Sequence, residues 1–263
     1  MNNCIRPVVL LFVLSCCSCK KVIQVNLNDA APQIVIQGEV SDLPGPYKIY
    51  ITKTVNFSAT NNFPPVSGAM ITITDDKGLN DSLTETAPGE YDTHGSWQGK
   101  PGNSYTINVM TSGKTYTATS VMPQPVALDS IIFQKNTRFD GKSTISIEPN
   151  FQDPPGIANY YQFAETINGN ELNKIYIMDD RLSDGKYIHQ VLFDDSMHIN
   201  SGDVVRLNMY NIDANVYHYL DEMLQISNNA QSVTPANPDT NFSNGALGFF
   251  SAHTVVMKQA IVD

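Results

Sequence analysis

The sequence contains no cysteine beyond position 19, although the chain has 263 residues. All its cysteines, Cys4, Cys16, Cys17 and Cys19, lie in this N-terminal stretch. The rest of the chain therefore cannot form a disulfide within itself. Its stability must come from a hydrophobic core, even in an oxidising compartment.

Long apolar runs are absent as well. The N-terminal run at residues 8–14 has seven residues, whereas a helix that spans a bilayer needs about 20. After Cys19 no apolar stretch approaches that length. Attachment to a membrane would therefore require something other than a spanning helix.

Positive charge is scarce, because Lys and Arg number 16 against 26 Asp and Glu, and the formal net charge is −10. Removing Arg6 with a signal peptide gives −10 − 1 = −11. Nucleic-acid binding depends on Lys and Arg that neutralise phosphates, and docking on anionic lipid depends on the same residues. We therefore expect no nucleic-acid partner, and we expect any membrane anchor to be covalent.

The motifs of common catalytic sites are missing too. The sequence has no Gly-x-Ser-x-Gly elbow, no phosphate loop and no dinucleotide fingerprint. We assign no catalytic, cofactor-binding or metal-binding residue, and we expect a protein without enzymatic activity or cofactor.

The N-terminal residues 1–19 are typical of a bacterial lipoprotein signal peptide. Arg6 precedes the apolar run at 8–14, and small residues then lead to the cysteines. We predict lipidation at Cys19, because Ser18 precedes it and hydrophilic lysines follow directly. Cys16 is the rival site, and an ordinary secretory signal with incidental cysteines is the other alternative. The signal peptide and the lipid anchor predict a location in the cell envelope.

Residues 20–32 are predicted to form a short polar tether, and residues 33–123 are predicted to form a β-sandwich. The prediction rests on alternating apolar residues, such as Ile34, Ile36 and Val40, with Gly and Pro turns between the strands. Expected strands start near 33, 47, 66, 105 and 116. Two prolines at 123 and 125 mark the end of this domain, because proline cannot continue a central strand.

Residues 126–263 are predicted to form a second, mainly β domain that carries one helix. Expected strands lie at 128–133, 144–147, 161–167, 174–178, 187–193 and 204–210, with a last strand or pair at 245–256. Val216, Leu220 and Met223 recur at helical spacing, which predicts a helix near 213–228 with Asp213 as its N-cap. The fold class is therefore all-β, with a β-sandwich first.

The chain resembles the Bacteroidota lipoproteins grouped as domain of unknown function family 4249, over nearly its whole length. The resemblance rests on the start at Cys19-Lys20-Lys21, then Ile34-Val35-Ile36-Gln37-Gly38, residues 66–75, Pro88-Gly89-Glu90-Tyr91, Asp153-Pro154-Pro155-Gly156, Asn159-Tyr160-Tyr161, and residues 244–252. It implies an outer-membrane or envelope lipoprotein, often encoded near TonB-dependent receptors, and supplies no catalytic residues. The expected location is therefore the outer membrane, with the periplasmic or surface face left open. Residues 66–91 are also similar to transthyretin-like and carboxypeptidase-regulatory sandwiches, which implies an immunoglobulin- or transthyretin-like sandwich as the first domain.

The densest polar cluster of the sequence is His189, Asp194, Asp195, Ser196 and His198. Such residues could ligate a metal or supply a nucleophile and base. Their spacing on a strand separates them onto opposite faces, however. We therefore predict a strand followed by a polar turn.

Three acidic pairs, at 75–76, 179–180 and 194–195, lie near Gly or Ser turns. A structural calcium is an alternative at each, but none has the alternate acids and closing Glu of an EF-hand. Turn formation by Asp explains all three.

The only tryptophan, Trp97, could stack on a sugar ring or anchor a partner, but we predict that it packs in the core. The aromatic residues at 217–219 and 249–250 are predicted to join a helix to a sheet.

The leading functional hypothesis is a non-enzymatic binding or accessory lipoprotein, working with an outer-membrane receptor or another envelope protein, whose ligand is unknown. The alternatives are a structural or adhesive surface module and a glycan or peptide hydrolase, the latter motivated only by the cluster around His189.

Overall fold

The computed structural model describes residues 31–56, 62–137, 143–193, 199–228 and 237–263. Within them the chain forms sixteen strands and one helix, α1 at Ala214–Asn228. The strands are β1 Ile34–Ser41, β2 Lys48–Lys53, β3 Met70–Asp75, β4 Asn80–Ser82, β5 Thr84–Ala87, β6 Glu90–Asp92, β7 Ser104–Thr111, β8 Lys114–Val121, β9 Ser130–Thr137, β10 Ser143–Gln152, β11 Tyr160–Ile167, β12 Asn170–Glu171, β13 Tyr176–Asp179, β14 Tyr187–His189, β15 Val204–Ile212 and β16 Leu247–Ile261. The predicted signal peptide with Cys16 and Cys19, and residues 194–198, lie outside the described residues.

The all-β prediction with a single helix is confirmed for the described residues, and most predicted strands are present. Two predicted strands are shorter than expected. The strand expected from Val66 begins only at Met70, because the Tyr91 hydroxyl donates to the Val66 carbonyl at 2.8 Å and accepts from the Ala69 amide at 3.0 Å. These bonds hold residues 66–69 as a loop. The strand expected over 187–193 ends at His189, and only Leu192 pairs again, in an isolated bridge to Ile147.

The N-terminal half forms a sandwich of two sheets around one core. The sheet β4-β3-β7-β8 contributes Ile73 and Ile107, and the facing strands β1 and β2 contribute Ile36 and Ile49, all fully buried. Along each of these strands the alternate side chains point outward, as the period of two requires.

A second core lies between the sheet β14-β10-β9 and strands β11 and β15. It contains Phe151 from β10, Tyr161 and Phe163 from β11, and Leu207 from β15. Two aromatic pairs tie it together, since the ring of Phe151 lies 4.8 Å from that of Tyr161 and 6.2 Å from that of Phe163.

The long strand β16 joins the two halves in one nine-stranded sheet, ordered β12-β11-β15-β16-β1-β2-β6-β5 with β13 paired to β11. Its first half pairs with β1 in parallel and its second half pairs with β15 antiparallel. Phe250 therefore lies in the first core and Val256 against the second. The domain boundary at 123–126 stays a prediction. Strand β16 follows that boundary in the sequence and contributes residues to both cores.

The helix α1 covers part of the outer face of this sheet, the face opposite the two cores. Tyr219 packs on Phe249 of β16, with ring centroids 5.0 Å apart, and Tyr217 packs on Tyr160 of β11, also at 5.0 Å. No helix among the described residues has the length and apolar character needed to cross a membrane.

Asp213 caps this helix as predicted, because its Oδ1 accepts the Val216 amide at 2.9 Å. Its Oδ2 also accepts the Ser120 hydroxyl, which in turn accepts the Ala252 amide at 2.8 Å. The cap thus ties the helix to the first sandwich as well as satisfying a free amide of the first turn.

We expect the substitution Asp213→Ala to lower the free energy of unfolding by about 1–2 kcal/mol, because a capping acceptor is lost. Urea denaturation followed by circular dichroism measures this. In Asp213→Asn the side-chain oxygen can still accept the Val216 amide, so the loss should be less than half as large. Equal losses in the two variants would show that the cap contributes nothing.

Candidate functional site

A concave surface lies on the outer face of the nine-stranded sheet. It is a groove of about 470 Å³ formed on β1, β2 and β16, within the range of small-molecule sites. The side chains that matter for its chemistry are Gln37, Glu39, Lys48, Tyr50, Phe249 and His253. We call it the outer groove.

Strand register places two aromatic rings on either side of Gln37. Gln37 pairs with Tyr50 of β2 on one side and with Phe249 of β16 on the other. Paired residues point to the same face of a sheet, so all three side chains line the groove. Tyr50 is 40% exposed, and the ring therefore offers a free surface to a ligand.

The groove carries one carboxylate that the rest of the described chain does not neutralise. Glu39 lies on the same face of β1 as Gln37, is exposed, and makes no hydrogen bond or ion pair with the described residues. Lys48, by contrast, is paired with Asp92 at 3.3 Å and with Glu90 at 3.7 Å. The one cation of the groove is therefore already shared by two carboxylates of β6.

His253 forms part of the groove floor and is 5% exposed. Its Nδ1 lies 3.1 Å from the Ser251 hydroxyl, and its ring meets the ring of Tyr210 edge-on at 5.1 Å. Burial lowers the pKa of this imidazole, against the opposing effects of Glu39 and Asp42. The ring is therefore a neutral hydrogen-bonding group at neutral pH.

A second polar feature is a group of three carboxylates below the end of β10. Ligand oxygens of Asp153, Asp180 and Asp184 all lie within 4.8 Å of one another. Asp153 and Asp180 are buried and Asp184 is exposed. These are the described side chains grouped closely enough to hold a metal ion, and their oxygens suit a hard cation such as Ca²⁺.

The protein itself also binds these carboxylates, which cross-link two loops. Asp153 accepts the Gly185 amide at 2.9 Å and the Tyr161 hydroxyl, and Asp184 accepts the Gly156 amide at 2.7 Å. Burial, and next the bond to Asp153, raise the pKa of Tyr161. The expectation that no metal is bound stays a prediction.

The structure places His189 on the exposed face of the three-stranded sheet β14-β10-β9. Its Nδ1 lies 3.3 Å from Oε1 of buried Glu148 and within bonding distance of the Asn150 side chain. Asp194, Asp195, Ser196 and His198 lie outside the described residues. The sequence-predicted cluster is thus represented by His189 alone, in contact with residues of β10 that the sequence did not suggest.

The acidic pairs behave as turn formers where they are described. Asp75 accepts the amides of Lys77 at 2.9 Å and Leu79 at 2.7 Å. Asp179 pairs with Arg181 at 2.7 Å. Its neighbour Asp180 points inward, toward Asp153 and Asp184. The pair at 194–195 lies outside the described residues.

Trp97 packs as predicted. Trp97 contacts the first core. The centroid of its ring lies 4.7 Å from that of Tyr47 and 6.3 Å from that of Tyr105, on which it is stacked. The indole N–H donates to Asp81 at 2.7 Å. Both the ring and its polar atom are therefore used within the fold.

The prediction for the other aromatic residues is right in part. Tyr217, Tyr219 and Phe249 do join the helix to the sheet. His218 is exposed, and Phe250 points to the opposite face, into the first core.

Sequence reasoning missed the outer groove. The available signal was Tyr50, an aromatic residue that alternates along β2 with the buried Ile49 and Ile51. Phe249 was predicted only to join the helix to the sheet, and His253 was not singled out.

Comparison with known proteins gives a family without an activity. A family model described as Domain of unknown function (DUF4249) matches residues 20–259. Among the curated proteins no sequence matches the chain. The matched range contains both the outer groove and the carboxylate group.

Proposed function

This chain belongs to the DUF4249 family, as its sequence resemblance predicts, and we propose that it is a lipid-anchored binding protein of the outer membrane. In this proposal Cys19 carries the lipid, the outer groove takes a ligand, and the protein works without catalysis. An outer-membrane receptor of the TonB-dependent class is the proposed partner.

The observation that carries the proposal is the outer groove itself. Gln37, Glu39 and the Tyr50 ring are exposed there. Helix α1 covers another part of the same face of the sheet. A rigid sheet holds these side chains in place without a ligand, which lowers the entropic cost of binding. A concave surface with aromatic and polar groups is the usual form of a ligand site.

Mass spectrometry of the protein from its native membrane tests the anchor. We expect a mature chain that begins at Cys19 with its amino-terminal cysteine acylated, and we expect Cys19→Ala to release the protein from the membrane fraction. A mature chain that begins at an acylated Cys16 would contradict the assignment of the lipid to Cys19 but would support a lipid anchor. An unmodified soluble product would contradict it.

Photo-crosslinking in living cells tests the groove. A benzoylphenylalanine introduced at Tyr50 should form an adduct with a ligand or with the receptor. The matched control is Met110, which is 43% exposed and lies on β7 in the other sheet of the first sandwich. Equal adducts at the two positions, or none at Tyr50, would argue against the groove as the binding site.

A further inference from the structure

We propose that the outer groove receives an organic cation, whose ammonium or guanidinium group is bound between the Glu39 carboxylate and the rings of Tyr50 and Phe249. This inference rests on the proposed function, because it names the class of ligand for the same groove.

The register of the sheet brings these three side chains to one place. Tyr50 and Phe249 both pair with Gln37, so their strands lie one on each side of β1, and their backbones are about 10 Å apart. Glu39 lies two residues further along the same face and is therefore diagonal to both rings, at about 7–8 Å. A glutamate side chain is long enough to reach the space between them.

A cation in that space would gain two kinds of contact. The faces of aromatic rings carry negative potential and attract ammonium and guanidinium groups. A carboxylate binds the same groups through charge-assisted hydrogen bonds. The amide oxygen of Gln37, which lies between the two rings, offers a further acceptor.

The charges around the groove favour a positive ligand. Glu39, Glu90 and Asp92 supply three negative charges and Lys48 supplies one positive charge, which gives −3 + 1 = −2. Lys48 lies near both carboxylates of β6 and makes no ion pair with Glu39 within the described residues. An anionic ligand would meet repulsion here.

A neutral sugar would use the same rings and polar groups, so charge is the property that separates the two classes. Loss of the Glu39 charge should weaken a cation strongly. Loss of the Lys48 charge should strengthen a cation, because a like charge is removed and two carboxylates are freed. A sugar could still form hydrogen bonds to a glutamine at either position, so it would respond little to the loss of either charge or to salt.

Isothermal titration of the full-length protein in a non-ionic detergent measures this directly. The probes are agmatine, which carries a guanidinium and an ammonium group, N-acetylglucosamine as a neutral ring, and glutarate as an anion of similar length. We expect saturable binding of agmatine alone. We expect its Kd to rise about tenfold in Glu39→Gln and about threefold in Tyr50→Leu, and to fall about threefold in Lys48→Gln. Raising the salt concentration from 50 to about 500 mM should weaken binding in the wild type.

The matched control is Glu171→Gln, which removes one negative charge from an exposed glutamate of β12, four strands away from β1 in the same sheet. It should leave the Kd for agmatine unchanged. Thermal melting of each variant checks that the fold is retained.

Equal weakening in Glu39→Gln and Glu171→Gln would overturn the inference, since the effect would then come from net charge. Binding of N-acetylglucosamine, or no binding of agmatine, would also overturn it. In those cases the crosslink at Tyr50 decides separately whether the groove is a binding site at all.

Discussion

Replacing Gly248 with alanine is expected to lower the free energy of unfolding by about 3–5 kcal/mol, a loss at the upper end for a single substitution. Gly248 lies in β16 opposite Ile36 of β1, with φ at 94°. A Cβ added there would lie 2.0 Å from the Ile36 carbonyl oxygen and 2.8 Å from its carbonyl carbon. Backbone atoms of a paired strand cannot move aside without breaking the pairing. The strands β1 and β16 must therefore separate at this position and lose hydrogen bonds there.

Gly245→Ala is the control for this prediction. Gly245 also has a positive φ, 75°, but a Cβ added there would meet no atom within 4 Å. It should cost only the backbone strain of about 1 kcal/mol. Thermal melting should show Gly248→Ala lower by roughly 10 °C and Gly245→Ala by a few degrees. Similar losses in both variants would mean that the close approach to Ile36 is not what requires glycine.

The sequence was sufficient to predict most strands because the alternation of apolar residues is a local signal. Ile34, Ile36 and Val40 mark β1 without any knowledge of its neighbours. Pairing is not local. Nothing in the sequence places residue 248 against residue 36, more than two hundred positions away, and the nine-stranded sheet therefore could not be foreseen.

The same limit explains why the outer groove was missed. Its aromatic residues come from β2 and β16, and its carboxylate comes from β1, so only the strand order brings them together. The helix, in contrast, was predicted together with its cap, because Asp213 and the apolar spacing after it form one continuous signal.

Trp97 shows both a feature that the sequence predicts and one that depends on strand pairing. Its packing was predicted, since a single tryptophan near a strand end belongs to the core more often than to a binding site. Its partner was not. Asp81 lies sixteen residues earlier, on the short strand β4 that the sequence did not reveal.

Asp81→Ala is expected to lower the free energy of unfolding by about 2–4 kcal/mol, because a buried carboxylate with several partners is lost. Asp81 is 8% exposed. It accepts the His94 amide at 2.9 Å, lies 3.0 Å from His94 Nδ1, and accepts the Trp97 indole N–H at 2.7 Å. Without it, a backbone amide and an indole N–H lose their acceptor, and the loop that carries Trp97 loses its tie to β4.

Because Trp97 is the only tryptophan of the chain, its fluorescence reports the loss of the bond to Asp81. In Asp81→Ala the emission of Trp97 should move to longer wavelength in the folded state, because the ring is less firmly held against Tyr47 and Tyr105. Asp81→Asn keeps one acceptor oxygen and should lose about half as much stability, with a smaller shift in emission. Asp76→Ala removes an exposed carboxylate that pairs with Lys77 and accepts the Ser104 amide at 3.1 Å. It should leave the emission unchanged and lower the stability less than Asp81→Ala does. Wild-type emission and stability in Asp81→Ala would show that the ring contacts alone hold Trp97 in place.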